Sequence, residues 1–219
     1  MGRPREFQDE QALDAAVDCF WQRGLEATSV RDLSAEMGMT LSSLYNAFGD
    51  KRALFAVALE RYADLTLRQR IARIERDHSG KAAIWAFFTD LVARSRSDPD
   101  RRGCFIVNSA MEVGPHDDEL QARVSGYLSE FEQFFRRCLD AGIAHGEIPD
   151  TIAPDDVARH LLAVGLGVRV LARVCADRSV LESIVRTALA PLDPPAPAVT
   201  TADARPDPAL RLKEGDPTC

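Results

Sequence analysis

Apolar side chains return every three or four positions along most of the chain, and glycines and prolines break the rhythm. Leu13, Ala16, Val17, Phe20 and Trp21 stand at the i, i+3, i+4, i+7, i+8 positions of one helix face. Gly24 stops that helix. Thr28 or Ser29 can cap a second helix with Val30, Leu33 and Met37 on its buried side. Gly38 ends it, and Thr40 can cap a third with Leu41, Leu44, Tyr45 and Phe48 at apolar spacing. Gly49 stops the third, and Asp50 caps a long fourth helix carrying Leu54, Val57, Ala58 and Leu65.

The same period continues. Trp85, Phe88, Leu91 and Val92 share a face that Pro99 closes, and a short apolar segment runs from Cys104 to Val113. A long helix over 117–143 carries Leu120, Val124, Tyr127, Leu128, Phe131, Phe134 and Phe135. Pro154 opens another helix at its first turn. From Leu161 to Val174 that helix is apolar almost all round, which predicts burial on more than one side. A last helix spans 178–189. No run of period-two alternation demands a strand. Beyond Ala190 the chain is rich in proline (191, 194, 195, 197, 206, 208, 217), alanine and aspartate, and reads as a flexible tail. The expectation is an all-α protein with three parts. These are a three-helix unit over 1–51 with an arm at 1–6, a larger helical domain over 52–190, and the tail 191–219.

Composition narrows the class. The 219 residues are 46% hydrophobic and 28% charged, as in a soluble globular chain. No apolar run approaches the roughly 20 residues of a membrane span. The start, MGRPREFQDE, lacks the apolar core of a signal peptide, so a cytoplasmic protein is expected. Cysteines at 19, 104, 138, 175 and 219 form no Cys-x-x-Cys pair, which points to reduced thiols rather than disulfides or structural zinc. The formal net charge of -7 argues against a generally basic nucleic-acid coat but leaves room for a local contact surface.

Two short helices joined at a glycine and followed by a long helix fit a helix-turn-helix, whose second helix lies in the DNA major groove. The outer face of that helix must be short and polar so that the backbone can come close. Thr40, Ser42, Ser43 and Asn46 suit base edges, while Tyr45 and Lys51 suit phosphates. Arg3 and Arg5 of the GRPRE arm can reach a minor groove or phosphates. Acidic residues nonetheless outnumber basic ones over 1–51.

The stretch TSVRDLSAEMGMTLSSLYNAFGDKRALFAVAL, residues 28–59, resembles the DNA-binding region of the tetracycline-repressor (TetR) type of transcriptional regulators. Thr28, the Gly38 turn, Leu44-Tyr45, Phe48, Asp50-Lys51 and Leu54-Phe55 carry the likeness. The resemblance implies a homodimeric repressor on a palindromic double-stranded operator, with a C-terminal domain that binds a small-molecule effector and pairs through its last two long helices. Leu161–Val174, with Gly165 and Gly167, and Val180, Leu181, Ile184 and Val185 are the expected interface. Thr28 joins the DNA-facing set on this basis.

Candidate effector-site residues are Trp85, Phe88, Cys104, Phe105, Asn108, Tyr127 and Phe131, each of which also fits an ordinary core role. The segment RRGCFIVNSAMEVGPHDDEL resembles a stretch of a subset of the same family in which a cysteine at this place takes part in sensing electrophiles. Cys104 is therefore a candidate sensor. The four histidines form no metal-binding spacing, and no catalytic motif, Walker loop or dinucleotide fingerprint appears. No catalytic residue, metal or cofactor is expected. The competing reading is an all-helical enzyme or small-molecule carrier with an incidental helix-turn-helix.

Overall fold

The computed structural model describes residues 3–113, 116–175 and 177–193, with side chains from Glu10 onward. Among these residues the chain is all-α, with no strand. Helix α1 (Arg3–Arg23) is followed by α2 (Val30–Glu36), α3 (Leu41–Phe48) and α4 (Lys51–Tyr62). Helix α4 runs through a π-helical segment (Ala63–Arg68) into α5 (Gln69–Asp77). Then come α6 (Gly80–Arg96), α7 (Phe105–Glu112), α8 (Asp118–Ala144), α9 (Pro154–Val174) and α10 (Arg178–Leu189), closed by a 3-10 turn (Ala190–Leu192). None of the helices is long and apolar enough to cross a membrane.

The helix starts are set by local side chains. Ser29 caps α2 through a capping box: its Oγ accepts from Asp32 N–H at 3.1 Å, and Asp32 Oδ2 accepts from Ser29 N–H at 3.1 Å. Thr40 Oγ1 accepts from Ser43 N–H at 3.1 Å to cap α3, and Asp50 Oδ1 accepts from Ala53 N–H at 2.7 Å to cap α4. Each such cap contributes about 1 kcal/mol. The α2–α3 turn needs Gly38 at φ +63°, a region that L side chains rarely adopt.

Leu33, Leu44 and Phe20 are fully buried and seal the three-helix unit. An aromatic chain joins that unit to the rest. The Phe20 ring meets Phe55 edge-on at 5.0 Å, Phe55 meets Phe105 at 5.3 Å, and Phe105 meets Tyr62 at 5.6 Å. A second cluster, formed by Phe87, Phe88, Phe131, Phe134 and Phe135, holds α6 against α8. Two ion pairs tie the unit to the rest at the surface, Arg61 to Asp14 and Arg102 to Asp18, and Arg52 to Asp117 joins α4 to the start of α8.

Several expectations need correction. The backbone is already helical at Arg3, so residues 3–6 of the expected arm are part of α1; residues 1–2 and the side chains of Arg3 and Arg5 lie outside what the structure describes. Val57 and Leu65 are exposed, and Phe55, Leu59, Tyr62 and Leu67 take the buried side. The wider π turn after Tyr62 adds a residue and rotates Leu65 outward, a shift that a 3.6-residue period does not anticipate. Leu192 is fully buried, so packing continues past Ala190; residues 194–219, Cys219 among them, lie outside the described residues. Helix α9 buries only Ala158, Leu161, Val168 and Ala172, and leaves Val170, Leu171 and Val174 exposed.

Candidate functional site

Helix α3 presents Leu41, Ser42, Ser43, Tyr45 and Asn46 to solvent, while Leu44 is buried against the unit's core. Tyr45 keeps 49% of its surface exposed although no polar group among the described residues holds it there, which suits a side chain waiting for an external partner. The helix itself, LSSLYNAF, carries no charge. Four acidic residues of the unit are directed elsewhere. Asp14 and Asp18 pair with arginines of the larger domain, Asp32 accepts from Ser29, and Asp50 caps α4. The unit is acidic, but α3 itself is neutral.

Two of the expected contacts are arranged differently. The Thr28 hydroxyl donates to the Gly24 carbonyl at 2.6 Å, and the residue is 1% exposed, so its side chain holds the α1–α2 turn and cannot face DNA. Lys51 Nζ donates to the Leu25 carbonyl at 2.8 Å, which leaves two N–H donors for a phosphate. Thr40 and Ser43 bond to each other at 2.9 Å, with Thr40 acting as cap. We expect Lys51→Ala to weaken binding to all DNA sequences and to flatten the plot of log affinity against log salt by about 0.9, one phosphate's worth. Asn46→Ala should instead change base preference. Fluorescence anisotropy over a salt series checks both; an unchanged slope with altered base preference in Lys51→Ala would refute this assignment.

The larger domain holds a cavity of about 270 Å³. Phe87 and Leu91 of α6, Leu128, Phe131 and Phe135 of α8, and Leu162, Gly165 and Leu166 of α9 form its apolar wall, and Trp21 of α1 closes one end. Tyr62 and Thr66 bring the π-helical segment to its edge, where Thr66 Oγ1 donates to the Tyr62 carbonyl at 2.7 Å. Cys104, the N-cap residue of α7, is half-buried and lines the cavity. Burial and the neighbouring Cys104 thiol push the Tyr62 hydroxyl well above the usual tyrosine range. Among the other described cysteines, burial pushes the Cys19 thiol up and the Cys138 thiol up to about 12, whereas Cys175 is exposed.

Of the seven candidate effector residues, the structure brings Cys104 and Phe131 to this cavity. Phe88 and Trp85 line a separate groove between α6 and α10, with Trp85 37% exposed. Phe105 is locked between Phe55 and Tyr62. Asn108 donates to the Arg102 carbonyl at 2.8 Å and accepts from Arg173, and Tyr127 donates to Glu60 at 2.7 Å, so both are satisfied framework groups. Sequence reasoning missed Trp21 and the four cavity arginines, Arg70, Arg94, Arg102 and Arg169. They come from distant segments, and surface arginines in sequence look the same.

The residues expected at the interface divide into two sets. Leu161, Leu181 and Val185 are buried within the protomer and Ile184 is largely covered, whereas Val170, Leu171, Val174 and Val180 form the exposed apolar surface of α9 and α10. A helix–turn–helix with an outward polar face, carried on an all-α domain with a cavity among its helices, defines a DNA-binding regulator. Residues 12–58 match the family described as bacterial regulatory proteins, tetR family, and residues 80–188 match the tetracyclin repressor-like C-terminal domain. The chain is 35% identical over 198 residues to the uncharacterized HTH-type transcriptional regulator YezE of Bacillus subtilis, covering 88% of this chain and 100% of that one. It is 30% identical over 189 residues to the transcriptional repressor ComR of Escherichia coli, covering 86% and 90%. A cysteine-substituted TetR family regulator, CifR, solved in complex with 26-base-pair operator DNA, superposes with a TM-score of 0.75 at 32% identity over 86% of this chain and 98% of that one. The chain belongs to the TetR family of transcriptional regulators.

Proposed function

We propose that the protein is a homodimeric repressor that lets go of a palindromic operator when a small molecule enters the 270 Å³ cavity. Residues 1–51 serve as the DNA-binding unit and 52–190 as the effector-binding and pairing domain. Repression draws support from relatives named as repressors and from CifR having been solved on operator DNA. The observation that carries the effector reading is Arg102. It lines the cavity, stacks 4.0 Å over the Trp21 ring and donates to Asp18 Oδ1 at 2.9 Å. Both partners lie on α1, so one side chain touches the cavity and the DNA-binding unit. An occupant that draws Arg102 inward takes it from Asp18 and biases how α1 sits, which shifts the population between two spacings of the paired α3 helices. The test is selection of bound sequences from a random DNA pool, followed by displacement of the selected site with candidate ligands. A protein that retains no sequence, or whose bound DNA no cavity ligand displaces, contradicts the proposal.

A second reading rests on Cys104. Cys104 lines the cavity with its thiol beside Tyr62, where an adduct adds bulk next to packed Phe105, and a packed interior does not absorb volume gradually. In a Cys175→Ser background, which removes the exposed thiol among the described residues, mild N-ethylmaleimide should release DNA. The further Cys104→Ser change should abolish that release. If the doubly substituted protein still lets go on treatment, Cys104 is packing and the signal is non-covalent.

A further inference from the structure

Four arginines and one carboxylate, Asp98, line the cavity. Arg70 is 9% exposed; it donates to the Phe87 carbonyl at 2.9 Å and lies 4.1 Å over the Phe87 ring. Its Nε sits 2.8 Å from Asp90 Oδ2, but the N–H is not directed at that oxygen and the hydrogen bond is not made. Asp90 is moreover shared with Arg73 and Arg94, so one carboxylate faces three guanidiniums. Arg169 is held by the Ser95 hydroxyl at 3.1 Å and by the Gly103 carbonyl, both neutral. Burial pulls Arg70 down to about 10, and the like charges of Arg94 and Arg169 add to the effect.

A second observation converges on the same place. Four buried side-chain polar atoms lack a hydrogen-bond partner among the described residues: Trp21 Nε1, Arg70 Nε, Asp98 Oδ1 and Arg102 Nε. All four belong to residues lining this cavity, and three are donors. Unpaired buried donors are costly, and guanidinium forks match carboxylate geometry. Asp98 offsets Arg102, whose Nε lies 3.8 Å from its Oδ1, and its Oδ2 accepts from Gly103 N–H at 3.1 Å, whereas Arg169 has no carboxylate partner among the described residues.

We infer that the effector is an organic anion, a carboxylate on a compact aromatic or branched apolar body, with its head at Arg70 and Arg169 and its body against Phe87, Phe131 and Leu91. This rests on the reading that the cavity is the effector site. A dry cavity of about 150 Å³ admits benzene, so by proportion about 270 Å³ holds roughly eleven heavy atoms, the size of 3-phenylpropionate. The apolar wall supplies affinity for the body, and the arginines select the head.

The test is calorimetric titration of the full-length protein with 3-phenylpropionate, benzoate and 4-phenylbutyrate, each against its primary amide, at fixed ionic strength. At least one carboxylate should bind about tenfold to a hundredfold tighter than its amide, the factor of one charge-assisted hydrogen bond. Arg169→Gln and Arg70→Met should each erase that preference while leaving the amide's affinity nearly unchanged. If Arg70→Met does not fold, the wild-type comparison and Arg169→Gln decide the matter. Amides that bind as tightly as the acids and displace operator DNA would overturn the charge assignment and leave the effector site standing. Failure of both series to bind would overturn both.

Discussion

Phe55→Ala lowers the unfolding free energy by about 3–5 kcal/mol, the cost of truncating a buried aromatic and leaving a cavity. Phe55 is fully buried and meets Phe20 of α1 and Phe105 of α7 edge-on, so one substitution removes two aromatic pairs from the joint between the DNA-binding unit and the larger domain. Total stabilities of natural domains run about 5–15 kcal/mol, so the loss is a large share of the whole. Urea unfolding followed by circular dichroism measures it. Tyr45→Ala, at an exposed position, is the control and should stay within about 0.5 kcal/mol of wild type. A loss below 1 kcal/mol for Phe55→Ala would mean that the aromatic chain does not hold the joint.

The second large effect is on assembly. Val170 and Val174 are 42% and 76% exposed on α9, so replacing both with glutamate should leave the protomer's fold stable within about 1 kcal/mol. In a two-fold dimer the change places four carboxylates in one apolar interface, where they repel and lose water. Light scattering at micromolar concentration should report a monomer. Operator affinity should fall by about 10²–10⁴, because the second half-site no longer gains from tethering. The same exchange at Leu161 or Val185 tests folding instead, since both are buried within the protomer. A Val170→Glu, Val174→Glu protein that stays dimeric would move the interface elsewhere.

Much of this arrangement was legible in the chain because it is local. The caps at Thr40 and Asp50, the Gly38 turn, the Pro154 start and the 178–189 helix depend on residues within a few positions of each other, and the structure has them where the spacing puts them. The choice between Thr28 and Ser29 as cap was not legible, since both hydroxyls fit until Thr28 is seen bonded to Gly24. The register after Tyr62 was lost because a π turn breaks the period used to read it. The apolar character of α9 predicted burial on more than one side, whereas within the protomer it buries one face, and which valines face outward depends on where α6 and α8 lie. The cavity was least legible of all. Its arginines come from α5, α6, the α6–α7 loop and α9, and only folding gathers them around the aromatic wall.

Hydroxyl-radical footprinting on the DNA site recovered from the random pool tests the central claim most directly, with a salt series on the same site. Two-fold pairing of α3 helices predicts two protected patches on one face of the duplex, about 34–36 Å or one helical turn apart. Both patches should vanish together in the Val170→Glu, Val174→Glu protein, and protection should fall steeply with rising salt. A single patch, or protection no stronger than on random DNA at the same salt, would contradict a dimer that contacts its operator through Ser42, Ser43, Tyr45 and Asn46.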